Sequence, residues 1–140
     1  MPNRLEVSAL KNSIHFIILL LVGMLLTACQ STIDPVHQEY IESYGWHVEK
    51  LIDQSTLPKN SLTEVMLENY QASGVDLAPY AGQELTATRY ELEEEIGGRS
   101  VTAVLYEADG KIVAGHVVHP HQSPGVHPMD DRENVMKQEE

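Results

Sequence analysis

Residues 100–118 read SVTAVLYEADGKIVAGHVV, and this stretch decides the fold. Two runs of strand-forming residues flank Asp109-Gly110, a pair that accepts the positive φ angles of a two-residue type I′ turn. The spacing predicts an antiparallel hairpin of strands 100–108 and 111–118. A tight turn sets Ala108 opposite Lys111, hence Leu105 opposite Ala114 and Ala103 opposite His116. Both faces of this hairpin carry apolar side chains, so the alternation leaves open which face meets the core. Upstream, residues 85–92 also repeat with a period of two, and Gly97-Gly98 separates them from the hairpin.

Before the strands the period lengthens. Asp34 and Pro35 form a helix start, since the aspartate caps free amides and proline at the first helical position loses no hydrogen bond. Val36, Tyr40, Ile41 and Tyr44 follow at helical spacing, and Gly45 ends the run. Residues 46–57 read as an extended segment stopped by Pro58. A second helix is signalled by Ser61 and Glu64 in capping-box spacing, by the stripe Leu62, Val65, Met66 and Tyr70, and by the stop at Gly74; Val75 and Leu77 are expected to fold back onto it. Pro79-Tyr80-Ala81-Gly82 reads as a turn. The expected fold is α+β: an antiparallel sheet of about four strands with two helices packed on one face, in the order α-β-α-β-β-β. Residues 35–118 form this domain, and residues 119–140, with Pro120, Pro124, Pro128 and a charged end, are expected to be an irregular tail.

Composition limits the possible functions. The chain has 140 residues, a formal charge of −12, and 21 acidic against 9 basic residues, which disfavours phosphate-backbone contacts and hence nucleic acid. One cysteine excludes an internal disulfide and any zinc site built on two or more thiolates.

That cysteine has a better use. Arg4 and Lys11 precede an unbroken apolar run from Phe16 to Leu26. At about 1.5 Å per residue the run covers roughly half of a ~30 Å bilayer core, the size of a signal-peptide core rather than a spanning helix. Leu26-Thr27-Ala28-Cys29 follows directly. It resembles the lipobox of bacterial lipoproteins, and the resemblance implies diacylglycerol on the Cys29 thiol and cleavage after Ala28. Residues 1–28 are thus expected to be a signal peptide and residues 29–34 a tether. The folded part is expected on the extracytoplasmic face of the cell membrane, held through its lipid. Its negative charge would keep it off an anionic surface.

Tyr44-Gly45-Trp46, then Gly74-Val75-Asp76-Leu77 with Tyr80 and Gly82, then Arg89-Tyr90 and Ile112-Val113-Ala114-Gly115 occur in an order and spacing that resemble one known family. It is the uncharacterised Firmicute family called domain of unknown function 4830, and the likeness covers residues 36–129. Two positions depart from the family pattern: Met66-Leu67 stands where a Tyr-Asn pair is associated with the family, and His116 where an acidic residue is. The resemblance implies a small extracytoplasmic, lipid-anchored protein and brings no activity with it.

Four histidines, His116, His119, His121 and His127, fall within twelve residues, and neutral imidazole is the commonest metal ligand. Asp130 and Asp131 can add oxygens. The sequence leads us to expect weak, pH-dependent binding of Zn²⁺ or Ni²⁺ rather than a structural site, because no zinc spacing is matched and the prolines stiffen the segment without fixing it. No other cofactor is expected. Glu91, Glu93, Glu94 and Glu95 read as a solvated sheet edge. Trp46, Tyr40, Tyr44 and Tyr70 read as core aromatics rather than a ligand groove. No G-x-S-x-G elbow, phosphate loop or dinucleotide fingerprint occurs, so an enzyme is not expected. The expected role is a non-enzymatic interaction or accessory module with an envelope protein or component as partner.

Overall fold

The structure is a computed structural model, and it describes residues 32–137. The apolar run, Leu26-Thr27-Ala28-Cys29 and the start of the tether lie outside the described residues. The elements run α1 (Pro35–Ser43), β1 (Val48–Leu57), α2 (Glu64–Ala72), a 3₁₀ turn (Ala78–Tyr80), β2 (Leu85–Ile96), β3 (Arg99–Ala108), β4 (Lys111–Val118), β5 (Val126–Pro128) and α3 (Arg132–Met136). The strands form one antiparallel sheet in chain order. The α+β class is as expected, with five strands in place of about four.

The hairpin at its centre turns on Asp109 (φ 50°) and Gly110 (φ 72°), and Ala108 pairs with Lys111. Beyond the turn the register departs from the expectation. Glu107 faces Ile112 but Tyr106 faces Ala114, so Val113 is an extra residue in β4. Leu105 then lies opposite Gly115 and Val104 opposite His116, instead of Leu105 opposite Ala114 and Ala103 opposite His116. A shift of one residue sends every later side chain of the strand to the other face. The packing around Gly115 fits this register: a Cβ there would stand 2.9 Å from Leu105 Cδ2 and 3.1 Å from Tyr40 Cε1. The bulge therefore brings a glycine to a place with no room for a side chain.

The two apolar faces of the hairpin are both core. Val101, Ala103, Leu105 and Val117 pack with Ile41, Trp46, Tyr90 and Leu92. Val104, Tyr106 and Ala108 pack on the opposite side with Leu62, Val75, Leu77 and Leu85. The two long helices consequently lie on opposite faces of the sheet, α1 on one and α2 on the other, and not on one face as the sequence led us to expect. A sheet apolar on both sides needs a cover on each.

Both helices are rotated from the expected stripe. In α1, Asp34 caps Val36 N at 2.8 Å as read, yet the buried residues are His37 and Ile41, while Val36 is 64% exposed. In α2 the cap is Thr63, whose hydroxyl accepts from Met66 N, so the Ser61–Glu64 capping box does not form. Starting the helix two residues later leaves Val65 65% exposed and turns Leu67 and Tyr70 to the sheet. Its end is a Schellman motif: Val75 N donates to Tyr70 O and Gly74 N to Gln71 O. Val75 and Leu77 do fold back into the core below it.

The tail also differs from expectation. Residues 126–128 pair with β4, residues 132–136 form α3, and Met129 and Val135 are buried against Trp46 and its neighbours. Trp46 Nε1 donates to the Met129 carbonyl at 2.8 Å, tying the first strand's approach to the last. A few apolar residues among many polar ones suffice here, because β5 pairs with the edge of β4 and Met129 and Val135 are buried against the indole.

Candidate functional site

The late histidines do not converge. His116 sits on β4 opposite Val104 and faces the α2 side, its ring 5.6 Å from both Tyr70 and Tyr106. His119, His121 and His127 belong to the segment around β5, with ring centroids 6.2 Å apart for His119 and His121 and 6.3 Å for His119 and His127. Several of their nitrogens already serve the protein, although His119 Nε2 is buried without a partner. His119 Nδ1 accepts from His121 N at 3.2 Å, and His121 Nε2 donates to the Ile96 carbonyl at 2.8 Å. His127 reaches Gln122 Oε1 at 3.0 Å and Asp131 Oδ2 at 3.4 Å. Burial and the neighbouring imidazoles hold His119 below its usual pKa. Among the described residues no group of three or more His, Cys, Asp or Glu is arranged to hold a metal ion. The expected four-histidine set is therefore not assembled among the described residues: His116 packs against Tyr70 and Tyr106 on the α2 side, and the other three brace the loop.

The glutamate run is likewise more than a solvated edge. Glu93 and Glu95 are exposed, but Glu94 is buried and accepts from His47 N (3.2 Å), His47 Nδ1 (2.9 Å) and Arg132 Nη2 (3.3 Å). Burial raises its pKa, yet these hydrogen bonds outweigh it and hold the carboxyl below its ordinary value. Arg132 also lies over the Trp46 ring at 5.3 Å, a cation–π contact. This cluster fastens α3 to the sheet. Of the aromatics, Trp46 is fully buried and Tyr40 packs on the core beside it, with burial and Tyr44 pushing Tyr40 up to about 12. Tyr44 is exposed rather than core, and with Tyr40 it lines a cleft of about 310 Å³, while Tyr70 lines a larger one.

That cleft lies between α2 and the sheet and measures about 500 Å³. Leu57, Leu62, Met66, Val104 and Val118 make much of its wall, and Tyr70, Tyr106 and His116 form a ring cluster within it. Tyr106 OH donates to Tyr70 OH at 3.2 Å, which leaves the Tyr70 hydroxyl its own proton to give elsewhere. His116 is 3% exposed, and its Nδ1 has no hydrogen-bond partner. Burial pushes the imidazole down to about 4, so it is neutral at pH 7. Among the described residues lining the cleft, the one charged side chain is Arg89, and its guanidinium is held by Asp53, with Nε to Oδ1 at 2.8 Å. Tyr106 escaped the sequence reading altogether. Its signal is the alternation of residues 102, 104 and 106 with residues 114, 116 and 118, which becomes visible once the bulge is known.

Comparison with protein-family models, with curated proteins and with solved structures gives no match to this chain. No helix among the described residues is long and apolar enough to cross a membrane.

Proposed function

We propose that this chain is a lipid-anchored protein of the extracytoplasmic face of the cell membrane, held through Cys29, whose α+β domain is a non-enzymatic binding module. The observation that carries the location is Leu26-Thr27-Ala28-Cys29 directly after the apolar run 16–26, with the chain's one cysteine at the acceptor place. The resemblance of the motif order to the domain of unknown function 4830 family agrees with the same reading, although no family model matches the chain. Two or more acyl chains at ~0.8 kcal/mol per buried CH₂ anchor a protein stably, whereas one does so marginally. The binding role is supported by a cleft of ligand size whose lining is shared between apolar residues and residues with hydrogen-bonding side chains. An envelope protein is the partner class this reading favours.

The test is expression of the wild-type chain and Cys29→Ser, with mass spectrometry of the N-terminal peptide and fractionation. Wild type is expected to begin at a diacylglyceryl-modified Cys29 and to sediment with membranes, while Cys29→Ser remains uncut and unlipidated. A variant still cut to the same size and still membrane-bound overturns the anchor.

A further inference from the structure

The geometry points to the cleft between α2 and the sheet as a site for an uncharged amphipathic small molecule, its polar group paired with the His116 imidazole and its body laid on Leu57, Leu62 and Val104. This deepens the binding-module reading and rests on it, but it is independent of the anchor.

Three observations carry it. The first is an imbalance in hydrogen bonding: a buried polar atom with no partner costs roughly 1–3 kcal/mol, and His116 Nδ1 is such an atom. A ligand that supplies the missing partner recovers this cost on binding. The second is size and lining. About 500 Å³ falls within the ~300–1,000 Å³ range of small-molecule pockets, and the lining is shared between apolar residues and residues with hydrogen-bonding side chains, which suits an amphipathic ligand. The third is charge. The lining offers a neutral imidazole, hydroxyls and one arginine already engaged by Asp53, so neither an anion nor a cation finds an unpaired counter-charge there.

Entry has a structural means. His116 Nδ1 is closed off from water, and Tyr70 and Tyr106 are the rings that stand beside the imidazole. Tyr70 stands on α2, a helix with no buried residue, and its hydroxyl accepts a long 3.2 Å bond from Tyr106. On this proposal the ligand displaces the Tyr70 ring, which stands on a helix without buried residues, rather than Tyr106, which is buried in its strand. The Tyr70 hydroxyl then offers its proton to the same ligand group, so a carbonyl or hydroxyl is the polar group best suited.

The experiment uses the full chain in lipid nanodiscs and the uncharged probes benzamide, phenol and cyclohexanol, with benzoate and benzylamine as charged counterparts. Histidine-ring NMR and titration calorimetry are the readouts. The expected result is saturable binding of at least one uncharged probe, a ring shift at His116 and not at His47, and at least tenfold weaker binding of both charged probes. Met66→Trp, at the exposed mouth of the cleft, should abolish binding without unfolding the domain, and His116→Phe should weaken it at least tenfold. Absence of saturable binding by all three uncharged probes overturns the site, as does benzoate binding as well as benzamide or unchanged binding in Met66→Trp. Binding that persists in Cys29→Ser supports the site whatever becomes of the anchor. A chain that binds no probe yet captures an envelope protein in stoichiometric amount overturns the site and leaves the module.

Discussion

The two faces of the sheet are built to different standards. On the α1 side Ile41, Trp46, Leu92, Leu105 and Val117 have no exposed surface. Most polar groups that enter there are tied down: His37 bonds Tyr90 OH at 2.7 Å and stands 3.2 Å from Glu107, and the Trp46 indole is held by a carbonyl, while Arg132 Nε beside the indole is the exception. On the α2 side the helix buries none of its own residues, Met66 is 40% exposed, and a buried imidazole nitrogen goes without a partner beside a cleft. Close packing is what most large stability contributions come from, and incomplete packing is what a binding site requires. The difference separates a face that holds the domain together from a face that has room to bind something.

The largest test of this contrast is a pair of truncations. Trp46→Ala is expected to cost about 3–5 kcal/mol, since it empties a closed site and releases the Met129 carbonyl, whereas Leu62→Ala beside the cleft should cost about 2 kcal/mol. Urea midpoints at constant slope measure both, and equal losses would break the comparison.

Next in size is acid sensitivity. His116 has a pKa of about 4 when folded and an ordinary 6.5 when unfolded, so the unfolded chain binds the extra proton between these values. Stability should be fully present above pH 6.5 and fall by about 3 kcal/mol as pH drops towards 4. His116→Phe should lose that dependence. Denaturant midpoints between pH 4 and pH 7 for the two chains check the sign and the size. The smallest effect is Met66→Gln, expected to leave the midpoint within about 0.5 kcal/mol because the side chain faces solvent at the cleft mouth. A larger loss would mean that the α2 side is as tightly closed as the other.

Local chemistry made much of this architecture readable in advance. Asp109-Gly110, the Asp34 cap and the glycine stop at Gly74 are each a short-range requirement on φ or on an unpaired amide, and each stands where its residues placed it. What escaped reading was set at long range. Nothing near residue 113 announces a bulge; it fits a strand that brings Gly115 against Leu105 across the hairpin and against Tyr40, which is far away in the chain. The tail escaped for a related reason, since Met129 and Val135 look sparse until Trp46 is set beside them, and Val126 until the α2-side core is. The candidate site inherits the same limit. His116 was visible as a residue, but its partners Tyr70 and Tyr106 follow from the shifted register, and histidines close in sequence stand apart in space.

The Trp46–Met129 bond has a consequence for how the chain assembles. Every ladder joins strands consecutive in the chain, so the sheet can zip from one hairpin to the next, each closing a limited loop. The indole and its carbonyl, by contrast, lie 83 positions apart. The entropy of bringing distant segments together therefore falls on the α1 side, the side best equipped to offset it. Since the chain contains one tryptophan, its fluorescence reports that closure and little else.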